Sequence, residues 1–244
     1  VLVLEVEGAV RAMTAWFSTV LSIPGKDQIF RAAYLYAVCV HPDWRGKGLA
    51  SKLLEGAGLY FRDRGIQAVT TVPASRELHG FFAKQGFFEC FTQDERQWTP
   101  ELAKKAPETL PKIKLVNAAE YGVLREGLLS KLGHIGLPMD ALLYQAGCCR
   151  IDGGGIYLVG APAGPAALCA EGTGDKALLV KELSGSPEAV DQIAAVLPQL
   201  LPKFGGTYRT LGDSVPFGMM KWLSPELDQA WDRDIRAYLG LAFD

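Results

Sequence analysis

Apolar and polar residues alternate at the start of the chain and predict a pair of strands. Residues 1–8, VLVLEVEG, end in a glycine turn, and a second β-rich run covers residues 9–23. Alternation of this kind is typical of strands that bury one face. We therefore predict a β-hairpin over residues 1–23.

A longer apolar run and a helical pattern follow the hairpin. Residues 30–40, FRAAYLYAVCV, are apolar on both faces, which is typical of a central strand buried on two sides. From Gly48 to Asp63 leucines recur at helical spacing, and Gly65 marks the end of that helix. The other elements predicted for this half are a strand over 67–72, a helix over 75–85 capped by Ser75, and a strand over 86–91.

The pattern breaks at residues 99–112, which hold three prolines and five charges. We interpret them as a linker between a first domain, residues 1–98, and a second domain, residues 113–244. The strands predicted for the second domain lie within 113–116, 154–160, 165–172, 176–183, 207–212 and 217–223. Three helices are predicted for this domain. The first begins after the cap Asn117, the second covers 137–151, and the third covers 186–204 with an interruption at Pro198.

Both predicted domains follow one order of elements: strand, strand, long central strand, helix, strand and terminal strand. This order is a weak internal repeat. The second copy has a further strand and two helices before it, and the chain starts at Val1 rather than at a methionine. We therefore expect the first domain to lack its N-terminal strand and helices.

Composition narrows the class of protein. Of the 244 residues, 49% are hydrophobic, enough for packed cores, and the net charge of -2 gives no overall field that would attract nucleic acid or an anionic membrane. The five cysteines form no CxxC pair, which favours reduced thiols and a cytoplasmic protein. We expect no nucleic acid and no membrane partner, and homo-oligomer formation stays open.

The junction between the central strand and the first helix has the features of an anion site. It reads HPDWRGKGLASKLL over residues 41–54. Backbone N–H groups are unsatisfied at a helix start, Gly46 and Gly48 let a ligand approach the backbone, and Arg45 and Lys47 add positive charge. The spacing fits neither a Walker loop nor a dinucleotide fingerprint. A glycine turn that only caps the helix stays an alternative.

Arg45-x-x-Gly48-x-Ala50 resembles the Arg/Gln-x-x-Gly-x-Gly/Ala signature of the GNAT superfamily of N-acetyltransferases. AVCVHPDWRGKGLASKLL, with FFAKQGF a strand and a helix later, resembles their central strand, pyrophosphate helix and final helix in the same order. The resemblance implies an α/β (α+β) fold of two GNAT-like domains, each a mixed, mostly antiparallel central sheet flanked by helices. The second domain would be degenerate, because its corresponding junction, residues 183–188, has no arginine.

The resemblance also implies acetyl-coenzyme A as the cofactor and a primary amine of a small molecule or peptide as the acceptor, attacking the thioester directly. The pyrophosphate would lie on the signature loop and the pantetheine arm on the end of the central strand. The implied cofactor-binding residues are Val38, Cys39, Val40, Arg45, Gly46, Lys47, Gly48, Leu49, Ala50 and Ser51. We expect Cys39 to be a packed small side chain rather than an acyl carrier.

The catalytic residues are not defined by the sequence. Many relatives have a proton-donating tyrosine where this chain has Phe82, and a phenyl ring has no proton to give. His79 and Tyr36 are the candidates for acid or base, with a packing histidine and a core tyrosine as alternatives. We predict no metal site, because His134 has no partner at ligand spacing. A non-catalytic acyl-coenzyme A binding or sensing module, and a structural protein that kept only the fold, stay open as well.

Overall fold

The computed structural model describes residues 1–23, 28–98, 110–151, 153–173, 177–201 and 205–243. Within these ranges the chain forms one 11-stranded mixed sheet flanked by helices. The strands are β1 Leu2–Val6, β2 Ala9–Ile23, β3 Gln28–Val40, β4 Ala68–Thr71, β5 Phe88–Trp98, β6 Lys112–Leu115, β7 His134–Gly136, β8 Gly155–Ala161, β9 Gly164–Gly172, β10 Ala177–Ser184 and β11 Gly205–Trp222. The helices are α1 Leu49–Arg62, α2 Arg76–Lys84, α3 Ala118–Leu129, α4 Met139–Ile151, α5 Pro187–Ala194, α6 Leu197–Leu200 and α7 Pro225–Ala230.

The predicted hairpin and central strand of the first half are present. β1 and β3 pair with β2 in antiparallel register, and β4 lies parallel to β3 on the other side. Helix α1 connects β3 to β4 and buries Leu53, Leu54 and Phe61, the residues at helical spacing. Ser75 stands at the N-cap of α2, but its side chain caps no backbone N–H, and it hydrogen-bonds the Glu77 carboxylate instead.

The second half repeats this arrangement of strands. β8 and β10 each pair with β9 in antiparallel register, and β11 lies parallel to β10. Helix α3 begins at a capping box made by Asn117 and Glu120, where we predicted its cap. The domain boundaries stay a prediction, since residues 99–109 of the predicted linker lie outside the described ranges and Lys112 is already in β6.

Strand β11 corrects one prediction. Residues 207–212 and 217–223, predicted as two strands, belong to a single strand of 18 residues. Its first part pairs with β10 and its last part with β4, while β5 pairs along both parts with a register shift between Thr210 and Val215. Gly212 and Pro216 gave the appearance of a turn because they occupy this irregular stretch. β11 thereby joins the two halves into one sheet.

Three further differences concern short elements. Strand β7 and helix α7 were not predicted, since three and six residues are too short to show a period. The predicted helix over 186–204 breaks after Ala194 rather than at Pro198, which lies in the first turn of α6. A proline is tolerated there because its missing N–H would have no intrahelical partner.

The largest buried cluster draws on both halves. It contains Phe30 and Tyr34 of β3, Trp222 of β11, and Trp231 and Leu239 of the C-terminal segment. A second cluster lies between α1 and the sheet, and a third lies under α5. Among the described helices, none has both the length and the apolar character needed to cross a membrane.

Candidate active site

A β-bulge interrupts strand β3 close to its end. Ala37 has a φ of 53°, which is rare for a residue with a Cβ, and the pairing with β2 shifts register at this point. The Thr14 hydroxyl, fully buried on β2, donates a hydrogen bond to the Tyr36 carbonyl oxygen at 3.1 Å. The opposite strand therefore holds the bulge in place.

Strands β3 and β4 part just before the bulge. Their pairing ends at Leu35 and Thr71, and the Thr71 hydroxyl donates to the Leu35 carbonyl oxygen at 3.1 Å. Residues 38–40 continue β3 past this point, and no described strand pairs with their edge on the β4 side. The end of β3 thus offers a free backbone edge to a ligand.

The loop after β3 presents backbone N–H groups at the start of α1. Gly46 and Gly48 both have a φ of 75°, and a Cβ on either would meet no atom within 4 Å. Backbone conformation, rather than crowding, requires glycine at both positions. The first intrahelical hydrogen bond runs from the Lys52 N–H to the Gly48 carbonyl oxygen at 3.1 Å, so the N–H groups of residues 49–51 precede it.

Three cations surround this loop. The Trp44 ring lies between Lys47, whose Nζ is 4.4 Å from the ring centroid, and Arg11, whose guanidinium carbon is 4.9 Å from it. The Arg45 Nε donates to the Val40 carbonyl oxygen at 3.3 Å, which ties the loop to the end of β3. These charges add to the positive end of the α1 dipole and favour an anion at this position.

The loop and the end of β3 border one cleft of about 690 Å³, which we call the loop cleft. It is lined by Val38, Cys39, Val40, Trp44, Arg45, Gly46, Gly48, Leu49, Ala50, Ser51, Leu78, Phe81 and Phe82. The lining includes every residue that the resemblance assigned to the cofactor except Lys47. The structure therefore brings these residues together around one space.

A second cavity of about 180 Å³, the aromatic cavity, adjoins the loop cleft. It is lined by Tyr34, Tyr36, Ala37, Val38, Thr71, Val72, Pro73, Ala74, Leu78, Phe82 and Phe243. Val38, Leu78 and Phe82 line both spaces and form the border between them. Phe82 is only 5% exposed and packs edge-on against the Phe81 and Phe87 rings.

Aromatic rings from both halves meet beside the aromatic cavity. Phe17 and Tyr36 stack with centroids 5.4 Å apart, and Phe243 lies 4.9 Å from Phe17 and 5.6 Å from Tyr36. Tyr144 of α4 lies 6.0 Å from Tyr36, and partial burial, with Cys148 and Tyr36 nearby, raises its pKa to about 12. Sequence reasoning named Tyr36 and missed the other three, because they lie on separate elements with no common motif.

The structure differs from the sequence predictions for two further residues, His79 and Cys39. The His79 Nδ1 is 3.1 Å from the Glu89 Oε1, and His79 lines neither the loop cleft nor the aromatic cavity. Cys39 is exposed rather than packed, so that prediction was wrong. Its environment is open because the end of β3 extends beyond β4 and borders the loop cleft.

The corresponding junction of the second half differs from the loop. Residues 183–188 lead directly into α5, where the Ser186 hydroxyl accepts a hydrogen bond from the Ala189 N–H at 3.2 Å. This helix start is capped by its own side chain, and Glu188 adds negative charge to its first turn. Residues 183–188 contain one glycine, Gly185, and no arginine or lysine, unlike the loop before α1.

Comparison with known proteins finds a family model that matches the first part of the chain. The model of the acetyltransferase (GNAT) domain matches residues 1–89. Comparison with curated protein sequences gave no match. Among solved structures, a GCN5-related N-acetyltransferase from Anabaena variabilis has a TM-score of 0.68 at 14% identity, over 91% of this chain and 62% of that one.

Two other structures extend this comparison. A conserved protein of unknown function from Enterococcus faecalis, described as a probable N-acyltransferase, has a TM-score of 0.64 at 12% identity, over 90% of this chain and 61% of that one. A tandem GNAT protein from the clavulanic acid biosynthesis pathway has a TM-score of 0.51 at 17% identity, over 91% of this chain and 82% of that one.

The chain thus spans about three-fifths of the length of the Enterococcus and Anabaena proteins. The predicted fold class, a GNAT-like mixed α/β fold, is confirmed. Residues 1–89 thus match the acetyltransferase (GNAT) domain, and the chain has the fold of GNAT-like structures.

Proposed function

We propose that this protein is an acetyl-coenzyme A dependent N-acyltransferase that acetylates a primary amine. The observation that carries the proposal is that the loop cleft and the aromatic cavity lie side by side and share the lining residues Val38, Leu78 and Phe82. A long cofactor in the loop cleft and an amine in the aromatic cavity would meet at this border. The reacting atoms would then be held close together, which is a main source of rate acceleration.

The residues of the loop cleft fit the two ends of coenzyme A. Its pyrophosphate would accept hydrogen bonds from the N–H groups of residues 49–51, with Arg11, Arg45 and Lys47 supplying positive charge. Its pantetheine arm would lie along the free edge of residues 38–40, as a peptide does when it adds a strand to a sheet.

The proposed chemistry needs no covalent protein intermediate. Bound acetyl-coenzyme A would supply an electrophilic thioester carbon, and an unprotonated amine would form the C–N bond as the C–S bond breaks. The nitrogen loses one proton and the sulfur takes one up. Backbone N–H groups at the end of β3 would stabilise the negative charge that develops on the carbonyl oxygen.

The proton donor differs from that of many relatives. Phe82 lies at the border of the two spaces without an ionisable group. Tyr36 lines the aromatic cavity and carries a hydroxyl, whereas His79 lines neither space, so Tyr36 is the stronger candidate of the two. We propose the cytoplasm as the compartment, which the free state of the five cysteines supports.

Calorimetric titration with acetyl-coenzyme A tests the cofactor part of the proposal. We expect binding by the parent chain and its loss in Gly48→Glu, because the carboxylate would repel the pyrophosphate. Gly153→Glu is a matched control, since Gly153 has a φ of 78° and a Cβ there also meets no atom within 4 Å. Equal loss in both variants would show a folding defect, and unchanged binding in Gly48→Glu would contradict the proposed site.

Cys39 gives the same experiment a second readout. It is exposed in the loop cleft, whereas Cys148 on α4 is partly exposed outside it. We expect acetyl-coenzyme A to slow alkylation of Cys39 and to leave the alkylation of Cys148 unchanged, measured by peptide mass spectrometry. Equal protection of both thiols would contradict local binding.

The alternative function is a non-catalytic acyl-coenzyme A binding module, which the buried Phe82 in place of a proton donor favours. Release of free coenzyme A thiol in the presence of amines separates the two proposals. Transfer to any amine supports the enzyme. Tight cofactor binding without thiol release for any amine supports the binding module.

A further inference from the structure

The lining of the aromatic cavity is almost wholly apolar. Among its described lining residues none is an aspartate, glutamate, lysine, arginine or histidine, and the hydroxyl groups come from Tyr34, Tyr36 and Thr71. All three are already engaged: the Thr71 hydroxyl donates to the Leu35 carbonyl oxygen, the Tyr34 oxygen accepts a hydrogen bond from the Phe243 N–H at 3.2 Å, and the Tyr36 hydroxyl hydrogen-bonds the Tyr144 side chain. An occupant would therefore be recognised mainly by its apolar surface.

The rings around this cavity are arranged for a flat occupant. The planes of Tyr34 and Tyr36 lie within 16° of each other, and Phe243 is tilted by 44° to Tyr34 and by 53° to Tyr36. Phe82 forms the side toward the loop cleft. Offset stacking and edge-to-face contacts are the favoured geometries between aromatic rings, and this arrangement offers both.

The size of the cavity restricts the occupant to a small molecule. Its volume is about 180 Å³. An apolar cavity of roughly 150 Å³ accommodates benzene. One aromatic ring with a short arm therefore fits, and a second ring does not.

Charge also restricts the occupant. A polyamine would carry additional ammonium groups into an apolar cavity, where an unpaired charge is strongly disfavoured. A single amine at the end of a short arm would instead reach the border formed by Val38, Leu78 and Phe82. Burial there would favour the neutral form of the amine, which is the form that attacks a thioester.

We infer, building on the proposed function, that the acceptor is a small arylalkylamine, a primary amine on a short alkyl arm attached to one aromatic ring. Phe243 is then a specificity-determining residue. It comes from the C-terminal segment, and it contacts Phe17, Tyr34, Tyr36 and Tyr144. The second half thus completes an acceptor site whose cofactor loop lies in the first half.

The test compares three acceptors on the full chain at saturating acetyl-coenzyme A: 2-phenylethylamine, 1,5-diaminopentane and a lysine-containing peptide. Thiol release gives kcat and KM for each. We expect kcat/KM for 2-phenylethylamine to exceed that for the diamine and the peptide by about tenfold or more, the scale on which pockets discriminate by apolar fit.

Variants at Phe243 separate ring recognition from folding. We expect Phe243→Ala to lower kcat/KM for 2-phenylethylamine by about tenfold, mainly through KM, with the Kd of acetyl-coenzyme A unchanged. Phe243→Tyr should keep activity because it keeps the ring. Tyr60→Ala is a control, because Tyr60 packs on Trp16 and Phe61 and lines neither space.

The outcomes distinguish this inference from the proposed function. Preference for the diamine or the peptide, with no effect of Phe243→Ala, would overturn the arylalkylamine inference and leave the transferase in place. Bound acetyl-coenzyme A without transfer to any of the three amines would overturn both.

Discussion

Arg125 and Glu182 form an ion pair that is almost completely removed from water, with side chains 1% and 0% exposed. The Arg125 Nε lies 3.0 Å from both Glu182 carboxylate oxygens, and its two Nη atoms donate to the carbonyl oxygens of Ile135 and Leu239 at 2.9 Å. The Tyr121 hydroxyl donates to the same carboxylate at 2.6 Å. Burial, the largest single effect, lowers the pKa of Arg125, but Glu182 together with Tyr121, Tyr238 and Glu126 raises it by more, so the net shift is upward. The pair ties α3 to β10 and to the segment that ends at the aromatic cavity.

Removing one member of this ion pair should lower the stability of the fold strongly. We expect Arg125→Met to lower the free energy of unfolding by about 3–5 kcal/mol, because it leaves the Glu182 charge buried and unpaired. Urea denaturation measures the change. Arg150→Met, at an exposed position of α4, should change stability by less than about 0.5 kcal/mol. A cost for Arg125→Met as small as that of the control would show that water reaches the carboxylate.

At the scale of single elements, the bulge in β3 opens the space between β3 and β4. Ala37 adopts a φ of 53° within a strand, a conformation that its neighbours must impose. The Thr14 hydrogen bond to the Tyr36 carbonyl oxygen is the side-chain contact that holds it. The pairing with β4 ends at Leu35, just before the bulge, and residues 38–40 follow it, so we expect the position of their free edge to depend on the bulge.

Two threonines of β2 allow this dependence to be measured. We expect Thr14→Val to lower stability by about 1–3 kcal/mol, because the Tyr36 carbonyl loses its buried donor, and to weaken acetyl-coenzyme A binding as the bulge relaxes. The Thr19 hydroxyl is also buried but has no partner among the described residues, so Thr19→Val should be neutral or stabilising. Equal effects of the two variants in urea denaturation and calorimetric titration would rule out a special role for Thr14.

The bulge also marks the limit of sequence-based prediction. Alternation and helical spacing predicted the hairpin, β3 and α1, because each buries a regular face. The signature loop could be predicted because its glycines and cations are adjacent in the chain. Ala37 carries no turn signal, and the strain at this residue arises from contacts with β2. The rings of the aromatic cavity converge from distant elements, so only the folded chain reveals them.

At the scale of the molecule, the two halves share structural elements. β11 pairs with β10 of the second half and with β4 and β5 of the first. The largest buried cluster combines Phe30 and Tyr34 with Trp222, Trp231 and Leu239. β7 of the second half also pairs with β2. The halves that the sequence predicts as separate domains therefore share a sheet and their largest buried cluster.

This sharing predicts a single cooperative unfolding transition. We expect one calorimetric peak whose van't Hoff and calorimetric enthalpies agree. Leu183→Ala, at a fully buried position in the second half, and Leu54→Ala, on the buried face of α1 in the first, should each lower the free energy of unfolding by about 2–5 kcal/mol. Because the transition is common to both halves, each variant should move the whole peak, by about 2–4 °C for every kcal/mol lost. Two resolved peaks, of which each variant moves only one, would instead show that the halves unfold independently and that β11 links them only weakly.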